Sequence, residues 1–127
     1  MVFAEETKTP HHFTIVDDDD KVIFFVERVL MQTFPGSDVI AFHDGVEALH
    51  HLQQNHTDFL ITDYSMARMD GAQLIKELRQ LGNNVPAVMM SSSPHAQEAA
   101  AAVGVIFVDK GKIMAELADA IRAIIPA

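Results

Sequence analysis

Short apolar runs alternate along the chain with longer stretches in which apolar residues recur every three or four positions. Phe13-Thr14-Ile15-Val16 is the first compact run, and Asp17-Asp18-Asp19-Asp20 closes it. Val22, Phe25, Val26, Val29, Leu30 and Phe34 then repeat at helical spacing until Pro35-Gly36. Asp38 to Phe42 predicts a second strand, and Val46, Ala48, Leu49 and Leu52 predict a second helix ending near Asn55. Phe59 to Thr62, bounded by Asp58 and Asp63, predicts a buried third strand. After Asp70-Gly71, the residues Leu74, Ile75, Leu78 and Leu81 mark a third helix that Gly82-Asn83-Asn84 ends. Val85 to Met90 predicts a fourth strand, His95 to Val103 a short Ala-rich helix, and Val105 to Val108 a fifth strand. Ile113, Leu117, Ile121 and Ile124 give the last helix its stripe, with Pro126 past its end. Met1 to His12 reads as a polar tail, so the expected domain runs from Phe13 to Ala127.

Near-continuous apolar strands that alternate strictly with helices predict an α/β protein with a parallel sheet covered on both faces. Composition narrows this picture. The chain has 127 residues, 49% of them apolar, enough for one domain with a core of its own. It lacks cysteine, which excludes disulfides, thiol catalysis and Cys-ligated zinc. A net charge of −9 opposes non-specific binding to nucleic acid or to anionic membranes. No run approaches the ~18–20 apolar residues of a membrane span, so the expected setting is the cytoplasm.

The candidate chemistry lies just after the strands. Asp17 and Asp18 follow the first, Asp63 the third, Ser91 the fourth and Lys110 the fifth. In an open α/β sheet, ligands gather beyond the carboxyl ends of the strands, where strand order reverses. Clustered carboxylates repel one another and call for a hard cation, and Mg²⁺ takes oxygen ligands of this kind. A cation, an ammonium group and a hydroxyl around one nucleophilic carboxylate suit phosphoryl transfer, whose transition state spreads charge over three oxygens. The seven histidines offer no comparable set: none pairs at i, i+4 helical spacing with a third ligand in view.

Val16-Asp17-Asp18, Asp63-x-x-Met66-x-x-Met69-Asp70-Gly71, Val88-Met89-Met90-Ser91-Ser92 and Phe107-x-x-Lys110, in that order, resemble the receiver domain of bacterial response regulators. The resemblance runs from about Phe13 to Ile125. It implies a doubly wound, flavodoxin-like (CheY-like) fold: a five-stranded parallel sheet of order 2-1-3-4-5 flanked by five helices. It further implies that Asp63 is the phospho-acceptor for the phosphohistidine of a sensor histidine kinase or of a histidine phosphotransfer protein. Mg²⁺ would be held by Asp17, Asp18, Asp63 and the backbone carbonyl of Ser65. Ser91 would turn its hydroxyl to the phosphoryl group and Lys110 would pair with it. Ser91 and Phe107 would form the switch, signalling to a downstream protein through the fourth helix, fifth strand and fifth helix, without direct contact to nucleic acid or membrane.

Two departures from the family pattern stand in the loops of the site, the first of small expected effect and the second bearing on the aim of Lys110. Ala67 stands where the family commonly has Pro, and Gly111 replaces the Pro that usually follows the lysine, which predicts a trans Lys110–Gly111 bond. Two other functions use related parts. One is a pseudo-receiver, the same fold acting as a binding module without phosphorylation. The other is a haloacid-dehalogenase-type phosphatase, which needs a second Asp two residues after its nucleophile, where this chain has Ser65.

Overall fold

A computed structural model describes residues 11–125. The elements are β1 (His12–Val16), α1 (Asp20–Thr33), β2 (Asp38–Phe42), α2 (Gly45–Gln54), β3 (Phe59–Asp63), α3 (Gly71–Gln80), β4 (Ala87–Ser91), α4 (His95–Ala102), β5 (Ile106–Asp109) and α5 (Ile113–Arg122). A single 3₁₀ turn, Lys110–Lys112, joins β5 to α5. All strand pairs are parallel, in the order β2-β1-β3-β4-β5. The predicted doubly wound sheet and its strand order are therefore found.

The period-2 alternation of the strands divides the core in two. Phe13, Ile15, Phe59, Ile61, Val88, Met90 and Val108 face α1 and α5, where they meet Val26, Leu30, Leu117 and Ile121. Leu60 and Met89 face the other way, toward Leu52 of α2, Leu74, Ile75 and Leu78 of α3, and Ala100 of α4. The β3 strand is buried along its whole length, which is why its sequence reads as one apolar run.

Several boundaries differ from expectation for identifiable reasons. In α1 the buried face is Ile23, Val26, Val29 and Leu30, while Phe25 is 49% exposed. The strand expected from Val85 begins at Ala87 because Pro86 has no N–H to donate. The Val85 N–H is bound instead by the Asn83 side chain. Val105 stays outside β5 because its N–H returns to the Ala100 carbonyl and closes α4. His12, placed in the tail by sequence, opens β1: its N–H is bound by Asp58 and it pairs in register with Asp38. His11 rests its ring edge-on against Phe34. Residues 1–10 of the expected tail, and Pro126, lie outside the described residues.

The short fourth helix is present, buried only through Ala96 and Ala100 and without a side-chain cap. α3 is the opposite case. Asp70 accepts the Gln73 N–H at 2.8 Å, and the Gln73 side chain accepts the Asp70 N–H at 2.9 Å, a full capping box. Asp70→Ala is expected to cost about 1 kcal/mol. Thermal unfolding should show it as a fall of roughly 4 °C, and an unchanged midpoint would mean the cap is redundant.

Candidate functional site

Asp17 and Asp63 sit at the carboxyl ends of the adjacent central strands β1 and β3. Val16 pairs in register with Thr62, so the next residues, Asp17 and Asp63, emerge side by side. Asp17 still belongs to the sheet on its other side, donating its N–H to the Phe42 carbonyl. Both are buried, at 0% and 3% exposure. The Lys110 ammonium bridges them, 2.9 Å from Asp17 Oδ2 and 3.1 Å from Asp63 Oδ1. Asp18 is exposed beside this pair, and oxygens of Asp17, Asp18 and Asp63 all lie within 4.8 Å of one another. Ser91, at the end of β4, is buried, and its Oγ accepts the Ser93 N–H at 2.9 Å, leaving the hydroxyl proton free to donate. Phe107 is half-buried on β5 against the α2, α3 and α4 side of the core.

The trans Lys110–Gly111 bond is observed; the described residues contain no cis peptide. The lysine is nonetheless aimed at both carboxylates. Asp109 supplies the constraint: its Oδ1 accepts the Gly111 N–H at 2.8 Å and caps the 3₁₀ turn that carries Lys110. A proline at 111 could not make this bond, having no N–H. The sequence signal for it was available, since Asp-x-Gly is an Asx-turn pattern.

The charges are unequal. Burial, then repulsion from Asp17, pushes the Asp63 carboxyl up to about 6; Lys110 and the Ser65 N–H oppose this without cancelling it. Burial likewise raises Asp17, against the pull of Lys110 and the Asp19 N–H. Burial alone would lower Lys110, but contact with both aspartates outweighs it and keeps the ammonium above its usual range. The site is thus two buried acids with one cation between them, short of neutrality.

That deficit is what a divalent cation would fill. Asp17 Oδ1 is satisfied by the Asp19 N–H, whereas Oδ2 is buried and has no hydrogen-bond partner among the described residues. Its polar contact is the Lys110 ammonium at 2.9 Å, an ion pair that leaves acceptor capacity on that oxygen. A buried Asp17 oxygen without a hydrogen-bond partner, in a cluster of three carboxylates that are all hard oxygen donors, fits Mg²⁺. Among the described residues no other such cluster occurs. His12, His43 and His56 pair singly with Asp38, Asp20 and Asp58 on the surface.

A doubly wound α/β domain with an acidic, lysine-bridged cleft at its switch point is the class that fold and site define. The chain belongs to the response regulator receiver domain family, whose model matches residues 13–122. It is a signalling domain of the two-component type. It is 34% identical over 84 residues to the response regulator MprA of Mycobacterium avium, covering 66% of this chain and 36% of that protein. The chain thus spans about a third of the length of the curated relatives it matches. Among solved structures, a protein from Chloroflexus aurantiacus assigned as a response regulator superposes with TM-score 0.81 at 32% identity, over 91% of this chain and 97% of that one. The receiver domain of the Francisella response regulator 1452 gives 0.78 at 26% identity, over 89% and 94%. No helix of the described residues is long and apolar enough to cross a membrane.

Proposed function

We propose that this receiver accepts a phosphoryl group on Asp63 from the phosphohistidine of a sensor histidine kinase or a histidine phosphotransfer protein. An Asp63 carboxylate oxygen attacks phosphorus as the P–N bond breaks, and the imidazole, already protonated on its other ring nitrogen in the phosphohistidine, leaves as neutral histidine. The observation that carries this reading is the Lys110 ammonium seated between Asp17 and Asp63 at the switch point. With a pKa of about 6, Asp63 is ionised at neutral pH and so is a nucleophile there.

Asp17, Asp18, Asp63 and the Ser65 carbonyl would hold Mg²⁺, which when bound would neutralise charge gathering on the phosphoryl oxygens. Lys110 already touches the acceptor carboxylate and follows the charge onto the phosphoryl group. Ser91 donates its free hydroxyl proton to a phosphoryl oxygen. In moving to do so it gives up the Ser93 N–H, the contact that ties it to the start of α4. Phe107, half-buried on the neighbouring strand, turns into the space that Ser91 vacates. The change then reaches α4, β5 and α5, the face for a downstream protein. α4 is held to the core by two alanines and suits a moving part.

Intact-mass measurement after incubation with acetyl phosphate tests this. A phosphoryl adduct is expected with Mg²⁺, and none with EDTA or in Asp63→Asn. No adduct despite Mg²⁺ binding would instead leave a pseudo-receiver, a binding module with the same fold.

A further inference from the structure

The loop between β3 and α3, residues 64–70, carries the Ser65 carbonyl proposed above as a cation ligand. Its base is closed tightly. The Gly71 N–H donates to the Tyr64 carbonyl at 2.8 Å, and Tyr64 donates its own N–H to Met90 of β4. Its tip is a three-residue turn in which the Met69 N–H returns to the Ala67 carbonyl at 2.8 Å. Arg68, at the centre of that turn, has φ +70°, the one non-glycine in the left-handed region among the described residues. A bulky residue held there needs surroundings that over-determine it.

Those surroundings are the amino end of α2. The Arg68 guanidinium makes an ion pair with Asp44 Oδ2, while Asp44 Oδ1 accepts the Glu47 N–H at 2.8 Å and caps α2. Met69 packs closely against Gly45, the residue after Asp44. A Cβ added to Gly45 would meet the Met69 carbonyl at 3.0 Å and its side chain at 3.2 Å. The loop tip is therefore strapped to an element that contributes no group to the acidic site.

We infer that Arg68 is a positioning residue: by tying the loop tip to Asp44 it fixes the direction of the Ser65 carbonyl and so sets the affinity of the site for Mg²⁺. The inference rests on the reading of Asp63, Asp17 and Asp18 as the Mg²⁺-dependent acceptor site. It makes a prediction that simple charge does not. Through space, losing the Arg68 cation should tighten Mg²⁺ binding and losing the Asp44 anion should weaken it. Through the strap, both losses weaken it.

The experiment is a Mg²⁺ titration of the unphosphorylated protein, read by Tyr64 fluorescence (the single tyrosine, in a chain without tryptophan) or by amide NMR. The variants are Arg68→Ala, Arg68→Gly, Asp44→Asn and the double Arg68→Ala/Asp44→Asn. Asn keeps the helix-cap acceptor while removing the charge. Each single variant is expected to raise the Mg²⁺ Kd about fivefold, and the double variant no further, because both remove one interaction. Acetyl phosphate labelling should slow at limiting Mg²⁺ and recover at saturating Mg²⁺. In metal-free protein, hydrogen exchange at Met69 should quicken.

Tighter binding in Arg68→Ala, or effects that add in the double variant, would overturn the strap. So would wild-type affinity in Arg68→Gly, which would assign the effect to backbone strain instead of the ion pair. If the wild type binds no Mg²⁺, the acceptor-site reading falls and this inference with it. If the wild type binds and labels normally while the variants match it, the strap alone falls.

Discussion

Without Mg²⁺, Asp63→Asn should be more stable than the wild type at neutral pH, although it lacks the proposed phospho-acceptor. The ionised Asp63 carboxylate is buried against Asp17, and the single ammonium of Lys110 serves both. A rise in pKa from 3.8 to about 6 corresponds to roughly 3 kcal/mol against the charged form. Below about pH 4 Asp63 is protonated whether the chain is folded or not, and it costs nothing. Between pH 4 and 6 the folded protein holds a proton that the unfolded chain releases, so stability falls as pH rises. Above pH 6 the penalty is complete. Most paired carboxylates behave in the opposite sense, losing stability on acidification. Asparagine carries no charge, so the gap between variant and wild type should grow from near zero at pH 4 to its full size by pH 7.

Denaturant unfolding of both proteins at a series of pH values, in EDTA, measures that gap. Repeating it in Mg²⁺ should close it, because binding would stabilise the folded wild type while the variant lacks one proposed ligand. A gap that does not vary with pH would show that Asp63 is not strained by its neighbours.

Gly71→Ala should be the most disruptive single methyl in the site. Alanine is the better helix former by up to about 1 kcal/mol, and Gly71 opens α3, so local propensity favours the change. Space forbids it. A Cβ there would stand 2.3 Å from the Asp63 carbonyl oxygen and 3.2 Å from the Tyr64 Cα. These are backbone atoms of the central strand and of the first loop residue, which no rotamer change can move aside. Relief requires β3 or the start of α3 to shift, and overpacking of this kind costs about 3 kcal/mol. The expected result is a melting temperature lower by roughly 10 °C and slower labelling by acetyl phosphate. Gly111→Ala is the comparison. Its Cβ would meet only the Asp109 carboxylate, at 3.3 Å, and should change stability little. If both variants melt alike, the close approach at Gly71 does not constrain β3.

The parts of this molecule that are local were legible from the sequence. A fully buried strand must be a short apolar run, and its end is marked where the first carboxylate appears, so Asp17 and Asp63 could be placed by reading alone. Phase was harder. Val22 to Val26 is apolar at every position, so periodicity could not decide that Ile23 and not Phe25 faces the sheet. The order of the strands came from likeness to a family, since alternation of strand and helix is compatible with more than one winding. Contacts between distant loops left no local trace. Nothing near Arg68 points to Asp44, 24 residues earlier, because an exposed ion pair needs no pattern around either partner. The constraint on Lys110 lies between these cases: Asp109-Lys110-Gly111 spells a turn, but that the Asp109 carboxylate takes over the role of the absent proline is visible only in the fold.

The register between β1 and β3 carries a consequence for how such a site can vary. Neighbouring strands stand about 4.8 Å apart, and Asp17 and Asp63 leave them at matching heights, so the sheet's own hydrogen bonds act as the ruler for the two carboxylates. Their separation is a lattice constant of the fold, not the product of side-chain packing. A slip of one residue would bring Thr62 to the rim and turn Asp63 toward the other face. The loops around the rim can change while the spacing of Asp17 and Asp63 stays locked to the backbone.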